Sequence, residues 1–303
     1  MTAATREQAT VLALTDVSPR PWFELSELLE QAGSATGLID RGSELAAPED
    51  REFAVELAER LTEETVSGWA ATIDRTLTAA PDIRLVTVLD DDYPMNLRKI
   101  YNRPPFLFIR GSLRDEDARS VAVVGTRQAS PRGRDLAREL ATGLARRGVT
   151  VVSGLAAGID TEAHTAALDA GGRTIGVMGT GIDKVYPASN AALASRIPTH
   201  GALISQFWPG APPRSSNFPM RNVVTSGIAV GTAVIEASST SGAKMQARLA
   251  LEHGKRLFLV RELVMQEEWA KRYAQRRGAV VVESVDDILS VLDAEVVTEL
   301  QLF

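Results

Sequence analysis

Gly-rich turns recur between Val121 and Gly242, and they constrain the fold of this chain more than any other feature of its sequence. Three segments begin with an apolar run, continue through a turn that contains glycine and end in polar or helical residues: VAVVGTRQAS, VVSGLAAGIDTEAH and TIGVMGTGIDKVYP. This order predicts a strand, a tight turn and the N-terminus of a helix. Repeated strands with few polar residues, separated by amphipathic helices, indicate an α/β fold whose parallel sheet has helices on both faces.

The predicted turns favour the binding of phosphate. Backbone N–H groups at the N-terminus of a helix lie at the positive end of its dipole, where anions bind. The turns that follow parallel strands share one crevice at the carboxyl ends of those strands. The sequence therefore predicts a site for a nucleotide or for a nucleic-acid backbone.

The distribution of charge supports a polyanion site. The formal net charge of −6, taken alone, argues against nucleic acid. However, residues 121–260 contain 15 Lys/Arg and 8 Asp/Glu, a net charge of +7, whereas the remainder has a net charge of −13. A basic Gly-rich region beside an acidic remainder fits the binding of a polyanion, although basic windows also occur by chance in acidic proteins.

The composition argues against several classes of enzyme and of membrane protein. The chain has no cysteine, which excludes disulfides, thiolate metal sites and a cysteine nucleophile. Its histidines, His164, His200 and His253, lack the spacing of metal ligands, and neither a GxSxG elbow nor a P-loop is present. No apolar stretch reaches the roughly 18 residues of a membrane span, and the N-terminus lacks the apolar core of a signal peptide. We expect a cytoplasmic protein without a metal, a cofactor or a membrane partner.

The chain divides into a helical part and a mixed part. Its 303 residues allow about two domains of roughly 150 residues each. Residues 1–80 have helical periodicity and predict a small helical domain. Residues 81–295 alternate between strand and helix patterns and form the predicted second domain, and residues 296–303 form a tail. Within the second domain, residues 261–277 predict one charged surface helix.

Local signals predict where two helices begin near the turns. Ser130 has the properties of an N-terminal cap, with Pro131 in the first turn of the helix. Asp160 or Thr161 is expected to cap the next helix. His164 on that helix fits a hydrogen-bonded structural group better than a catalytic one.

Basic and aromatic side chains accompany the later turns. Lys184 and Tyr186 combine a mobile charge with a stacking face, a pair that is common in single-strand binding. Phe218, Arg221 and Asn222 follow in FPMRN, and the small hydroxyl residues of EASSTSGA suit a nest of backbone amides for an anion. In the alternative interpretation, these are ordinary turns whose tyrosine and proline pack on the core.

Together these segments resemble the DNA processing protein A family, also called DprA or Smf. The resemblance extends from about residue 11 to about residue 283 and rests on GTRQAS, SGLAAGIDTEAH, GGRTIGVMGTGIDKVYPASN, FPMRN and EASSTSGA, in order and at family-like spacing. It implies a helical domain similar to a sterile alpha motif, followed by an extended Rossmann fold. It also implies binding of single-stranded DNA, a homodimer, and loading of the recombinase RecA in DNA processing, recombination and natural transformation.

The resemblance also implies which residues bind DNA. In the family, the arginine of the first Gly turn and basic residues near the later turns contact the DNA backbone, a role that falls here to Arg127, Lys184 and Arg221. No catalytic residue and no metal ligand is expected. The full set of expected DNA-binding positions is Gly125, Arg127, Ser130, Ser153, Gly154, Gly179, Gly181, Lys184, Arg221, Asn222, Ser241, Gly242 and Lys244.

The chain departs from the family pattern around the C-terminal part of the expected site. The family usually reads RNR where this chain has Arg221-Asn222-Val223, and SGSLITA where residues 241–247 read SGAKMQA. A C-terminal winged-helix domain, present in many members, is not expected here. These departures keep open a divergent member that acts as an antitoxin or phage-defence regulator and binds DNA or a nucleotide ligand, together with a cognate toxin or defence protein.

A nucleotide-cleaving enzyme is the third alternative. Related Rossmann proteins that cleave nucleotides carry a PGGxGTxxE loop, whereas the corresponding strand end here reads EASSTSGAKMQ. Because no glutamate follows the glycine, the loop lacks the general acid or base that such chemistry requires. We therefore predict a protein that is not an enzyme.

Overall fold

Five helices precede the first strand of the fold. The computed structural model describes residues 3–41 and 46–300. The N-terminal helices agree with the helical pattern predicted for this part of the chain, and the acidic start of α5 is capped by Thr62, which accepts from the Thr65 amide. Their bounds are α1 Ala3–Val17, α2 Trp22–Ala32, α3 Ala35–Arg41, α4 Arg51–Arg60 and α5 Glu63–Ala79.

A single mixed sheet forms the centre of the molecule. In the part of the chain that the structure describes, nine strands are hydrogen-bonded in the order β1-β2-β6-β5-β4-β3-β7-β8-β9. Strands β1 to β8 are mainly buried, as their runs of valine, isoleucine and leucine predict, whereas the edge strand β9 is mostly half-buried. The bounds are β1 Ile83–Thr87, β2 Phe106–Gly111, β3 Ser120–Val124, β4 Thr150–Ser153, β5 Thr174–Val177, β6 Gly201–Ser205, β7 Gly231–Val234, β8 Arg256–Val260 and β9 Ala279–Val282.

Helices between the strands cover both faces of the sheet, which confirms the predicted α/β class. Most of these helices are crossover connections between parallel strands. Their bounds are α6 Met95–Arg98, α7 Pro131–Arg146, α8 Ile159–Asp169, α9 Ala191–Arg196, α10 Asn217–Ile228, α11 Gly242–Glu252, α12 Arg261–Gln266, α13 Glu268–Ala274 and α14 Val285–Leu300.

The sheet is parallel, as predicted, except at one edge. Strands β3 to β9 pair in parallel, whereas β2 pairs antiparallel with both β1 and β6. The segment between β1 and β2 carries only the single turn of α6. Two antiparallel neighbours can be joined without a helix that packs across the sheet. This edge therefore lacks the strand–helix alternation that predicted the parallel strands.

The order of the strands creates a topological switch point at β3. From β3 the chain adds β4, β5 and β6 on one side, and it then returns to place β7 on the other side. Val121 of β3 lies opposite Val151 of β4 and Gly231 of β7. The turns after β3, β4 and β7 therefore diverge around one crevice, which is where ligands bind in open α/β sheets.

Aromatic side chains join the N-terminal helices to the antiparallel edge of the sheet. Trp208, which follows β6, stacks on Phe106 of β2 at 4.7 Å between ring centroids and lies 4.3 Å from Trp69 of α5. Trp22 of α2 lies 5.7 Å from the same indole. One continuous hydrophobic cluster includes both parts of the chain. The division into domains at residues 80 and 81 stays a prediction.

The C-terminal segment differs from its prediction in one place. Residues 261–277 contain two short helices, α12 and α13, because the backbone at Glu267 is extended (φ −114°, ψ 118°). Leu263 and Trp269 are buried, so the apolar face packs on the core. Helix α14 continues to Leu300, residues 301–303 lie outside the described residues, and the tail at residues 296–303 stays a prediction.

Among the described residues, no helix is both long enough and apolar enough to cross a lipid bilayer.

Candidate nucleic-acid interface

A cavity of about 400 Å³ opens at the switch point of the sheet. It lies between the turns that follow β3, β4 and β7, and α10 and α11 form its remaining walls. We call it the switch-point pocket. Seven of the predicted DNA-binding positions line it: Gly125, Arg127, Gly154, Arg221, Asn222, Ser241 and Gly242.

The other six predicted positions do not line the pocket. Ser130 caps α7 as predicted, accepting from the Gly133 amide at 3.0 Å, and its hydroxyl donates to the Glu236 carboxylate at 2.9 Å. Ser153 is buried and donates to the Val123 carbonyl at 2.6 Å, which ties β4 to β3. Lys244 is half-buried, with Nζ donating to the carbonyl of Ser239 at 3.1 Å.

The turn after β5 also lies beside the pocket rather than in it. Cβ atoms added to Gly179 or Gly181 would lie 2.9 Å from the Phe218 ring and 2.5 Å from the Trp208 carbonyl. Both positions therefore need glycine because neighbouring groups pack tightly against the turn. Lys184 in the same turn is exposed.

An arginine and two aromatic rings form a row at the mouth of the pocket. The exposed guanidinium of Arg127 lies 4.9 Å from the centre of the Phe218 ring, within the range of a cation–π interaction. The ring of Tyr186, 44% exposed, lies 5.8 Å from that of Phe218. Sequence reasoning named these aromatic residues, and the structure brings them to one surface. Their faces suit stacking of unpaired bases.

Arg221 forms the floor of the pocket. Its side chain is only 7% exposed, and Nη1 donates to the carbonyls of Gly154 and, at 3.1 Å, Val177. A Cβ atom at Gly154 would lie 1.5 Å from Nη1, so only glycine leaves room for the guanidinium. Burial lowers the pKa of Arg221, and the negative charge of Asp160 opposes that shift.

Asp160 is buried near this arginine and is not the helix cap that its position suggested. Helix α8 begins at Ile159, preceded by Gly158, and no side chain caps it. The Asp160 carboxylate instead accepts from the backbone amides of Gly154 at 3.1 Å and Ala156 at 3.3 Å. Burial raises the pKa of Asp160, and the charge of Arg221 opposes the rise.

The loop between β4 and α8 is tightly constrained. Leu155 has φ +59°, a left-handed conformation that bulky residues rarely adopt. The Asn190 amide donates to the Leu155 carbonyl at 2.9 Å. Gly158 has φ +80°, and a Cβ there would lie 2.4 Å from the carbonyl of Thr126 in the turn after β3. Strain of this kind is concentrated at functional sites in proteins.

His164 lies below the same loop and is a structural group, in agreement with its sequence interpretation. Its Nδ1 lies 2.6 Å from the Thr174 hydroxyl. That hydroxyl donates its proton to the Val151 carbonyl at 2.7 Å, so Nδ1 carries the proton of the imidazole and donates to the hydroxyl oxygen. Burial and, second, the charge of Arg221 lower the pKa of His164 to about 3.

Three helix N-termini surround the pocket. Helices α7, α8 and α11 begin after the turns of β3, β4 and β7, and Ser241 caps α11 by accepting from the Ala243 amide at 3.1 Å. Their dipoles favour an anion in the pocket. Among the described residues that line it, Arg127 and Arg221 carry positive charge and Asp160 carries negative charge.

Sequence reasoning missed several polar residues of the pocket. Thr225 lies four residues after Arg221 on α10, and Gln246 lies four residues after Gly242 on α11. The four-residue spacing that places residues on one helix face was the signal that could have found them. The remaining missed polar residues are Thr126 and Gln128, whereas Ser238 belongs to the EASSTSGA segment that the sequence indicated.

Within the part of the chain that the structure describes, no group of three or more histidine or carboxylate side chains is arranged to hold a metal ion.

The fold and the pocket define a class of protein: a Rossmann-type α/β protein with a pocket at its topological switch point. The chain matches the family model described as DNA recombination-mediator protein A over residues 84–293. It therefore belongs to the DNA processing protein A family.

Curated relatives from several bacteria support this assignment. The chain is 37% identical over 205 residues to DNA processing protein DprA of Streptococcus pneumoniae, and this match covers 67% of the present chain and 72% of the relative. It is 35% identical over 298 residues to a putative DNA processing protein DprA of Mycobacterium tuberculosis, and this match covers 91% of the present chain and 75% of the relative. For Protein Smf of Synechocystis, the match spans 54% of the relative's length.

Solved structures have the same fold. The structure of DprA from Streptococcus pneumoniae superimposes with a TM-score of 0.67 and 31% identity, covering 88% of this chain and 95% of that one. The structure of DNA processing protein A from Helicobacter pylori gives a TM-score of 0.62, and the match covers 70% of this chain and 96% of that one. Its sequence identity of 23% supports a shared fold alone.

We predict that Gly154→Ala destabilises the protein by about 3 kcal/mol, because the new methyl group displaces the buried guanidinium of Arg221 from its carbonyl partners. The matched control is Gly242→Ala in the same pocket, where an added Cβ meets no atom within 4 Å. Urea denaturation measures both. Equal free energies of unfolding for the two variants would contradict the role assigned to Arg221.

We predict that His164 makes the protein less stable as the pH falls from 6.5 towards 3. In this interval the unfolded chain, with a histidine pKa near 6.5, binds a proton that the folded chain excludes, since its pKa is about 3. The loss is on the order of 1 kcal/mol per pH unit. The substitution His164→Asn removes this loss of stability at low pH. His200 is exposed, and the control substitution His200→Asn retains the loss. Denaturation at pH 7 and pH 4.5 compares them, and identical pH dependence in the two variants would argue against this role of His164.

Proposed function

We propose that this chain binds single-stranded DNA in the switch-point pocket and acts in DNA recombination. The observation that carries the proposal is the stacking of the exposed Arg127 guanidinium on the Phe218 ring above three helix N-termini. The description of the family as a recombination mediator supports the pathway. DNA processing protein A of Helicobacter pylori is described as having a single-stranded DNA binding mode. Membership of the same family, shown by the family model, is what supports this ligand for the present chain.

The shape of the site favours single strands over duplex DNA. Stacking on Phe218 and Tyr186 requires a base whose face is accessible, and the bases of a duplex have no such face. Bidentate readers of base edges are few at the pocket mouth, so sequence preference is weak. The pocket offers positive charge and stacking surfaces, and every unpaired strand has the phosphates and exposed base faces that bind to them.

The cationic residues divide into two roles in this proposal. Arg127, Lys184 and Lys244 lie at or near the surface, where they contact backbone phosphates. Arg221 is buried and bonded to two carbonyls, so it acts mainly by supporting the pocket floor and by adding positive potential. Asn222, Ser241 and Gly242 line the wall that the strand would contact.

The proposed activity is binding without catalysis. Asp160 is the carboxylate among the described residues lining the pocket. It is buried, accepts from two backbone amides and faces the charge of Arg221. A general base must reach the proton that it removes, and a carboxylate held in this way supports the loop instead. Family membership supports hand-over of the bound strand to a recombinase of the RecA type as the biological role.

We expect Arg127→Ala to weaken single-stranded DNA binding by about 1.5–3 kcal/mol, the range for a hydrogen bond to a charged group. Because one phosphate contact is lost, the slope of log affinity against log salt should decrease by about one. Mobility-shift titrations with single-stranded and duplex oligonucleotides over a salt series measure both effects.

The matched control is Arg146→Ala, at the far end of α7 on an equally exposed position. It should bind DNA as the unmodified chain does. Equal affinity for duplex and single strands, or equally small effects of the two variants, would place the DNA site elsewhere.

We propose that the chain forms a homodimer through its C-terminal half. Leu249 and Leu263 of this region complete the core, whereas Met265 is 69% exposed and available to a second copy. The side chains of Met245 and Val264 are half-buried in the same region. We expect a dimer in light scattering at micromolar concentration and a shift toward monomer in Met265→Glu. A monomer at every concentration would disprove the dimer.

A further inference from the structure

A second cavity, of about 670 Å³, lies against α10 and is lined mainly by aromatic, proline and other apolar side chains. We call it the α10 groove. It is formed by residues 19–23 before and within α2, residues 101–104 before β2, and Gln206, Met220 and Val223. Tyr101 is 57% exposed in this groove, and its ring lies edge-to-face with Phe23 at 6.5 Å between centroids. None of these residues belongs to the switch-point pocket.

Two amide side chains line the groove. Gln206 is 4% exposed and forms part of the groove wall. The side-chain oxygen of Asn102 is buried and has no hydrogen-bond partner among the described residues. Unsatisfied buried polar groups are costly, and at a cavity wall they indicate a ligand with hydrogen-bonding edges.

The charged side chains that line the groove are cationic. Its lining includes Arg20 and Arg103 but no aspartate or glutamate among the described residues, in a chain whose net charge is −6. The two arginines form ion pairs with Glu24 and Glu30, so their charge is partly neutralised. Aromatic contact, rather than phosphate attraction, is therefore the main interaction that the groove offers.

Helix α10 connects the groove with the switch-point pocket. Phe218 and Arg221 face the pocket, whereas Met220 and Val223 line the groove on the opposite face of the same helix. A helix with its side chains is about 10–12 Å across, so a strand crosses it in a few nucleotides. Residues Ser216 and Pro219 at the exposed N-terminal turn leave this crossing open.

We propose that the α10 groove is a second subsite for the same DNA strand, in which unpaired nucleobases stack on Tyr101 and Phe23. The edges of these bases bond to the amides of Gln206 and Asn102. The proposal rests on the proposed function of the switch-point pocket. A base has a flat face that can stack on the aromatic rings of the groove, and it has a polar edge that can bond to the amides beside them. A proline-rich peptide would fit the aromatic wall, but it gives no reason for continuity with the pocket.

The test compares Tyr101→Ala with the unmodified chain on two oligothymidylates: one of about four nucleotides, the lower end of the range for single-strand sites, and one of about twenty, which is longer than that range. The short strand occupies the pocket without crossing α10, so its affinity should not change. The long strand should bind about tenfold more weakly to the variant, because one stacked base is lost. Its salt slope should stay the same, in contrast to Arg127→Ala.

Controls separate stacking from general loss of structure. Tyr101→Phe keeps the ring and should bind the long strand normally, and Met95→Ala removes an equally exposed apolar side chain outside the groove. Gln206→Leu should weaken binding of the long strand alone. If Tyr101→Ala binds both strands normally, the groove is not a DNA subsite although the pocket is. If the unmodified chain binds neither strand, the proposed function fails, and the subsite fails with it.

Discussion

The buried guanidinium of Arg221 is the interaction on which the switch-point pocket depends. It reaches from α10 to the carbonyls of Gly154 after β4 and Val177 at the end of β5, and it faces the charge of Asp160. Burying an arginine is unfavourable unless hydrogen bonds and an opposite charge compensate, and removing one partner of a buried pair typically costs about 3–5 kcal/mol. The position of α10, and with it the wall that carries Phe218, is therefore coupled to glycine at position 154.

Much of this architecture could be predicted because its signals are local. The turns after buried strands, the Ser130 cap and the surface position of Arg127 each depend on residues close in sequence. The electrostatic interaction of Asp160 with Arg221 could not be predicted, since it joins two segments that meet only in the folded chain. The same limit applies to the antiparallel pairing of β2 and to the burial of Arg221, because both depend on contacts between distant segments.

The glycines of the turns are required for reasons that differ from those the sequence pattern indicates. The sequence pattern indicates that they admit phosphate, and Gly242, where an added Cβ meets no atom within 4 Å, does line the pocket. Gly125 and Gly154 line it too, but a Cβ there would clash with Ile159 and with the Arg221 guanidinium, and Gly179 and Gly158 lie close to an aromatic ring and a neighbouring carbonyl. The same residue type thus serves ligand access and close packing in adjacent turns. Only the three-dimensional neighbours of each Cβ position distinguish the two uses.

Helix α10 lies between the switch-point pocket and the α10 groove and contributes side chains to both. One face carries Phe218 and Arg221 into the pocket, and the other carries Met220 into the groove beside the N-terminal helices. The loop before it contains Trp208, whose ring packs against aromatic residues of α2, α5 and β2. A displacement of the N-terminal helices would therefore move the loop that leads into α10. Because packed interiors transmit such displacements, the helical part of the chain is placed to influence how the pocket holds its ligand.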